Sequence, residues 1–251
     1  MIKTPAEIAI ITQGGRRLAY IRDQLLKQVV VGAVPLDIDA LAQKLITEAG
    51  GKPSFMTVNG YKWATCISVN DGVVHGIPPK IPLAAGDRVG VDVGLLYQGF
   101  HTDTSWSVYL DGPDEQRNQQ VRQFLQVGEV ALKKAIQIAS PGNRVGHISQ
   151  TIQQEVEQAG YSVVKSLVGH GVGRALHEPP QIPGILTRPL IKTPQLQDRM
   201  VLAIEVIYNM GRPEIVYAND DGWTLATADG SISGLFEQTI VITESGPIVL
   251  T

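Results

Sequence analysis

The chain has 251 residues, 43% of them hydrophobic and 18% charged, an ordinary globular composition long enough to bury a sizeable core. Its formal net charge of −3 argues against a dedicated nucleic-acid binder, which carries a basic excess. Cys66 is the single cysteine, which excludes an intrachain disulfide and fits a reducing compartment, and neither a signal peptide nor a membrane-spanning apolar run is apparent.

Thr4-Pro5-Ala6-Glu7 predicts the start of a first helix, with an N-cap threonine, a proline at the first helical position and a capping-box glutamate. Ile8, Ile11, Leu18, Ile21 and Leu25 supply its apolar face, and Gly14-Gly15 interrupts that pattern. A second helix is expected from near Asp37 to Ala49, stopped by Gly50-Gly51. Strand-like segments follow from about Phe55 to Tyr109, broken by Gly60, Pro78-Pro79 and Gly86-Asp87. The pattern then restarts. A long helix is expected from Asp114 to about Ala139 and a shorter one from about Gly146 to Ala159. The remainder reads as strands and loops.

Helix, helix and sheet therefore occur twice. The two shorter helices align at an offset of 110 residues, with Ile38 matching Ile148, Gln43 matching Gln153 and Ala49-Gly50 matching Ala159-Gly160. This predicts an internal duplication, with two similar halves whose sheets meet at a central cleft and whose helices lie outside.

Acidic side chains inside apolar strands are the main anomaly. In Val89-Gly90-Val91-Asp92-Val93-Gly94, a period of two puts the valines on one face and Asp92 on the other. Asp103 follows in Phe100-His101-Thr102-Asp103-Thr104, a spacing that suits two strands joined by a turn near residues 97–99. Val201-Leu202-Ala203-Ile204-Glu205-Val206-Ile207 and Phe236-Glu237-Gln238-Thr239-Ile240-Val241-Ile242 each set one glutamate among apolar neighbours. Between them lies Gly169-His170-Gly171-Val172-Gly173-Arg174, followed by His177-Glu178-Pro179-Pro180. A carboxylate in such a strand costs several kcal/mol to bury unless a positive group meets it. No lysine or arginine lies within the four strand segments, so the simplest shared counter-charge is metal. Four carboxylates and one imidazole suit Mn²⁺, Fe²⁺, Co²⁺ or Zn²⁺, and several carboxylates suggest two ions.

His75-Gly76-Ile77-Pro78, the Asp92 and Asp103 pair, Gly169-His170-Gly171-Val172-Gly173-Arg174 with His177-Glu178, Ile204-Glu205 and Glu237 together resemble the type I methionine aminopeptidases of the pita-bread fold. The resemblance covers nearly the whole chain, including Lys52-Pro53-Ser54-Phe55 and Asp221-Gly222-Trp223-Thr224. It implies an α+β fold built as one catalytic domain over residues 1–251, with two pseudo-symmetric helix-helix-sheet halves, a curved antiparallel sheet and helices on the outer face. It implies that Asp92 and Asp103 ligate one divalent ion, and that Asp103, His170, Glu205 and Glu237 ligate a second. Glu205 is implied to act in catalysis as well. His75 and His177 are implied as non-ligand histidines beside the scissile peptide. Tyr61, Cys66, Leu176 and Trp223 match regions that line the methionine pocket, although as residues each reads equally well as core. The implied activity is removal of the initiator methionine from nascent polypeptide N-termini in the cytoplasm, by a monomer that binds neither nucleic acid nor membrane. The ribosome is a candidate second partner.

Three departures from the family pattern stand out. Val206 follows Glu205 where the family has proline, Gln238 follows Glu237 where it has histidine, and the segment from Gly60 to Cys66 is shorter than in well-known bacterial members. Outside the resemblance, His101 shares a strand face with Asp103 and is read as a non-ligand, and His147 is read as a packing or capping residue. Two alternatives remain open: a proline-directed peptidase of the same fold, and a non-catalytic protein-binding member.

Overall fold

The computed structural model describes residues 2–251. Helix α1 (Pro5–Leu26) starts as the sequence predicts: the Thr4 hydroxyl accepts from the Glu7 amide, and the Glu7 carboxylate accepts from the Thr4 amide at 2.7 Å. The helix runs unbroken through Gly14-Gly15, although the pair interrupts the pattern of apolar side chains. A Cβ on Gly15 would stand 2.7 Å from the Leu250 carbonyl oxygen, and one on Gly14 would stand 3.3 Å from the Tyr97 Cβ. Bare backbone lets α1 lie close to the sheet, which offsets a propensity cost of about 1 kcal/mol per glycine.

Helix α2 (Pro35–Glu48) is followed by the short β1 (Lys52–Pro53). The strand expected at Phe55 is instead a tight 3₁₀ turn, Phe55–Thr57. Gly94 makes room for it, since a Cβ there would lie 2.6 Å from Ser54 Cβ and 2.9 Å from the Phe55 ring. The turn tucks Phe55 into space that Gly94 leaves open. Strands β2 (Thr65–Val69), β3 (Gly72–Val74), β4 (Arg88–Tyr97) and β5 (Phe100–Tyr109) complete the first half. Gln98 and Gly99, at φ 47° and 85°, form the two-residue turn between β4 and β5. A tight hairpin requires positive φ at both positions.

Helices α3 (Glu115–Gln137) and α4 (Val145–Gln158) open the second half. The helix starts at 5 and 35 recur at 115 and 145, and the end at 48 recurs at 158, so the offset of 110 holds at three boundaries. Strands β6 (Ser162–Val163), β7 (Val168–Gly171), β8 (Glu178–Pro183), β9 (Val201–Asn209), β10 (Ile215–Tyr217), β11 (Leu225–Thr227), β12 (Ser233–Thr243) and β13 (Gly246–Val249) follow.

The main sheet has ten strands in the order β1-β4-β5-β12-β9-β7-β8, with β2 on β4, β6 on β9 and β13 on β12. Its pairings are antiparallel, and a smaller sheet runs β10-β11-β3. The halves fuse through β5 and β12, where Ser105 faces Glu237 and Thr104 faces Gln238. In the first half, Leu18, Ile21, Leu25, Ile38 and Ile46 of the helices pack on Val89, Val91, Val93 and Leu95 of β4. In the second, Phe124, Leu132 and Ile148 pack on Leu202, Ile204, Val206, Phe236 and Ile240. The helices therefore take the apolar face of β4, β9 and β12. The alternate residues, acids included, point to the opposite side. This is the helix-helix-sheet duplication that the resemblance implied.

Candidate metal centre and apolar pocket

Register alone assembles the acids. Cys66 faces Asp92, Asp92 faces Ser105, Ser105 faces Glu237, and Glu237 faces Glu205. Residues directly opposed across antiparallel strands project from the same face, so β2, β4, β5, β12 and β9 carry one transverse row. A second row lies two residues along, where Asp103 faces Gly94 and His170 faces Ala203. Ligand atoms of Asp103, His170 and Glu237 all lie within 4.8 Å of one another, and all three residues are buried. His170 Nε2 is 3.7 Å from a Glu205 carboxylate oxygen. Asp92 opens into the same cavity.

The electrostatics of this cluster do not balance within the protein. Among the described residues, no lysine or arginine forms an ion pair with Asp92, Asp103, Glu205 or Glu237. Burial pushes the Asp103 carboxyl up to about 7. Burial, together with the neighbouring carboxylates, pushes Asp92, Glu205 and Glu237 well above their ordinary range. Asp92 Oδ1 and Glu237 Oε1 are buried without a hydrogen-bond partner in the described structure. A buried acceptor left unpaired is costly, and a cation would satisfy both oxygens. His170 fits the same demand. Its Nδ1 lies 2.9 Å from the Gly171 carbonyl, which accepts the Nδ1 proton and leaves the Nε2 lone pair free. Burial, reinforced by the His177 ring 4.4 Å away, lowers its pKa to about 4, so the imidazole is neutral and able to ligate. The donor set therefore fits divalent metal.

All eleven residues singled out from the sequence line a single cavity of about 170 Å³. His75 enters from just past β3 in a left-handed conformation, φ 57°. Both His75 and His177 keep exposed surface at the cavity, and the protein packed around their rings lowers each pKa below the ordinary histidine value, which favours the neutral ring. The segment carrying Leu176 and His177 is pinned from the N-terminal region. Lys3 Nζ donates to Glu178 at 2.7 Å, and Arg174 pairs with Glu7 through two contacts of 2.7 Å.

The opposite end of the cavity is apolar. Tyr61, Cys66, Leu176 and Phe55 are buried together, with Trp223 packed edge-on against Tyr61 at 5.1 Å. The Tyr61 hydroxyl donates to the Thr65 carbonyl, so the ring turns its apolar body to the cavity. Phe55, Val58, Val74 and Leu235 also line it and were not singled out from the sequence. Leu235 carried a usable signal, since it lies two residues before Glu237 on the same strand face. Phe55 and Val58 carried none, because only the fold brings their turn over Gly94.

His101 lies outside the cavity lining and forms a short hydrogen bond through Nδ1 with the Ser54 hydroxyl, in keeping with a non-ligand role. His147 accepts from the Arg144 amide at the start of α4, a capping contact. Val206 is fully buried among the α3 and α4 side chains, opposite Phe236 in a register that runs unbroken from 201 to 209. Gln238 points away from Glu237 and donates to the Thr251 carbonyl.

A family description, Metallopeptidase family M24, matches residues 9–244. "Methionine aminopeptidase 1" of Bacillus subtilis is 40% identical over 249 residues, which cover 99% of this chain and 98% of that protein. A methionine aminopeptidase of Clostridium perfringens is 38% identical, covering 100% and 98%. Among solved structures, a Thermotoga maritima methionine aminopeptidase superposes with a TM-score of 0.94 at 40% identity, covering 100% of this chain and 98% of that one. A prolidase from Pyrococcus furiosus superposes with a TM-score of 0.78 at 23% identity, where this chain spans 65% of its length, a likeness of fold.

Proposed function

The chain belongs to metallopeptidase family M24, and from that premise we propose that it is a methionyl aminopeptidase. It removes the initiator methionine from nascent polypeptides and prefers a small second residue. The observation that carries this reading is the juxtaposition of an unneutralised acid row, with orphaned oxygens on Asp92 and Glu237, and an apolar end walled by Tyr61 and Trp223. Residues 1–251 act in this proposal as one catalytic unit.

Two divalent ions are proposed, which Asp92, Asp103, His170, Glu205 and Glu237 would hold between them. Bound there, such ions supply Lewis-acid polarisation and lower the pKa of water. The protein supplies the rest. The apolar end receives the unbranched thioether side chain, which a soft, closely packed wall suits. The free α-amine sits on the Asp92 side, which restricts cleavage to chain ends. Glu205 takes a proton from water on its carboxylate and passes it to the leaving amine. Neutral His177 donates an N–H to the carbonyl oxygen as negative charge develops there. His75 holds the leaving nitrogen in line.

Nascent chains as substrate place the protein in the cytoplasm in this reading, as a monomer, with the ribosome a candidate contact. Among the described residues no helix is long and apolar enough to cross a membrane. The test is a peptide panel varying positions one and two, run with Mn²⁺, Fe²⁺, Co²⁺ and Zn²⁺. Cleavage of Met-Ala-Ser with release of methionine is expected. Preferential cleavage of Ala-Pro-Ala would reassign the chain to a proline-directed peptidase. Full metal loading with no turnover of any peptide would make it a binding protein.

A further inference from the structure

Trp223 stands at the end of a hydrogen-bonded circuit that returns to His75. Asp221 Oδ1 accepts from the Trp223 amide at 2.7 Å and from the Thr224 amide at 2.8 Å. Asp221 Oδ2 accepts from the Thr224 hydroxyl at 2.6 Å. That hydroxyl accepts in turn from the Ile77 amide at 3.3 Å. Ile77 lies two residues beyond His75. Between them, Gly76 is wedged against β2, where a Cβ would meet the Ile67 carbonyl oxygen at 2.5 Å. The Gly76 carbonyl accepts from the Ile67 amide at 2.9 Å and lies 3.4 Å from the Tyr61 hydroxyl. Tyr61 closes the circuit by packing on Trp223.

The contacts are local at one end and remote at the other. The segment at 221–224 is bonded to the segment at 75–77 through the Thr224 hydroxyl, next to the β11–β3 pairing of Leu225 with Val74. A hydroxyl can donate once and accept, and here its single donor goes to Asp221 while it accepts from Ile77. His75 is held at φ 57°, a state that an ordinary residue keeps only when its surroundings fix it. The Ile77 to Thr224 bond is one of the anchors that do so.

We propose that Asp221 and Thr224 are positioning residues that tie the Trp223 wall of the side-chain pocket to His75, so that the fit of the substrate side chain sets the placement of that histidine. The proposal rests on the methionyl peptidase reading. It adds a specificity link that neither segment carries alone. A side chain that fills the pocket presses on Trp223 and is felt at His75. One that leaves it empty does not engage the link.

The experiment uses four variants of the metal-loaded protein: Thr224→Val, Thr224→Ser, His75→Ala and the Thr224→Val/His75→Ala double. Contacting residues couple strongly enough to give about a tenfold loss in kcat/KM on Met-Ala-Ser for Thr224→Val, with Thr224→Ser within about threefold of wild type. In the His75→Ala background, Thr224→Val should add less than about a twofold loss, because the link then has nothing to position. Losses that multiply independently would overturn the proposal, as would a Thr224→Ser variant as weak as Thr224→Val. The His75 ring resonances, assigned by comparison with His75→Ala, should shift in Thr224→Val and remain in place in Thr224→Ser. Unmoved resonances in Thr224→Val would overturn the link even if wild type cleaves no methionyl peptide. Failure of wild type on that peptide would sink the peptidase reading separately.

Discussion

Glu205 and Glu237 face each other directly across β9 and β12. Like charges in that relation repel, and both are displaced toward the protonated form by burial and by neighbouring carboxylates. In metal-free protein, Glu237→Gln should therefore raise stability by roughly 1–3 kcal/mol at pH 8, the scale of relieving a buried unpaired charge. The same change should abolish the stabilisation that divalent metal gives wild type. Differential scanning calorimetry with and without Mn²⁺ measures both. A metal-free variant less stable than wild type would show that the pair is satisfied by the protein itself.

Asp103 gives the pH dependence its sign. Its folded pKa, about 7, lies above the ordinary value of 3.8. A raised folded pKa contributes stability in full below the unfolded value, and that stability is lost as pH rises through the folded value. The histidines His75, His101, His170 and His177 are lowered by desolvation and act in the opposite sense, so the Asp103 contribution is read as a difference between metal-free wild type and Asp103→Asn. That difference should move against wild type between about pH 4 and pH 7, by on the order of a few kcal/mol, because each tenfold change in proton affinity is worth ~1.4 kcal/mol. Glu7 and Asp229, both lowered to about 2 by hydrogen bonds to Arg174 and to the Arg212 amide respectively, act only at more acid pH and leave this window clear. Metal must displace protons, so the Tm increment from Mn²⁺ should be larger at pH 8 than at pH 5.5. An increment that shrinks with pH would contradict this.

Trp223 and Tyr61 form the apolar wall with ring centroids 5.1 Å apart. Trp223→Ala should raise KM for Met-Ala-Ser about 10- to 100-fold, since losing an aromatic wall removes several times the 1–3 kcal/mol of one methylene contact but water fills part of the gap. Discrimination between methionyl and alanyl peptides should fall with it. Steady-state kinetics on the two peptides decides the matter, and unchanged discrimination would place the side-chain pocket elsewhere.

Gly15 tests the close approach of α1 to the C-terminal strand region. Helix propensity alone predicts that Gly15→Ala stabilises by about 1 kcal/mol. The Leu250 carbonyl, 2.7 Å from where the new Cβ would lie, predicts the opposite. Overpacking costs about 1–3 kcal/mol, so a net loss of roughly 1–2 kcal/mol is expected in urea unfolding. A stabilised variant would mean that α1 can shift away without penalty.

Much of the site was legible in the chain. Asp92, Glu205 and Glu237 each broke the apolar pattern of a strand, Asp103 followed Asp92 at hairpin spacing, and the physical rule that buried charge needs a partner made them stand out. The duplication was legible because the helices at 35–48 and 145–158 match at Ile38 and Ile148, at Gln43 and Gln153, and in the Ala-Gly that ends each. Gly14-Gly15 misled because glycine's propensity is local, whereas the reason for it is Leu250, at the far end of the chain. Phe55 misled because its turn depends on the space above Gly94, about 40 residues away in sequence, and no local pattern encodes such contacts.

The order of residues by itself determined which strand faces are apolar and which carry acid, because side chains alternate strictly along extended backbone. It could not determine which strand lies beside which. Pairing β5 with β12, across a separation of more than a hundred residues, is what aligns Ser105 with Glu237 and makes one row of two half-sites. That choice belongs to the tertiary structure, since long-range register is fixed by two helical layers burying their faces together.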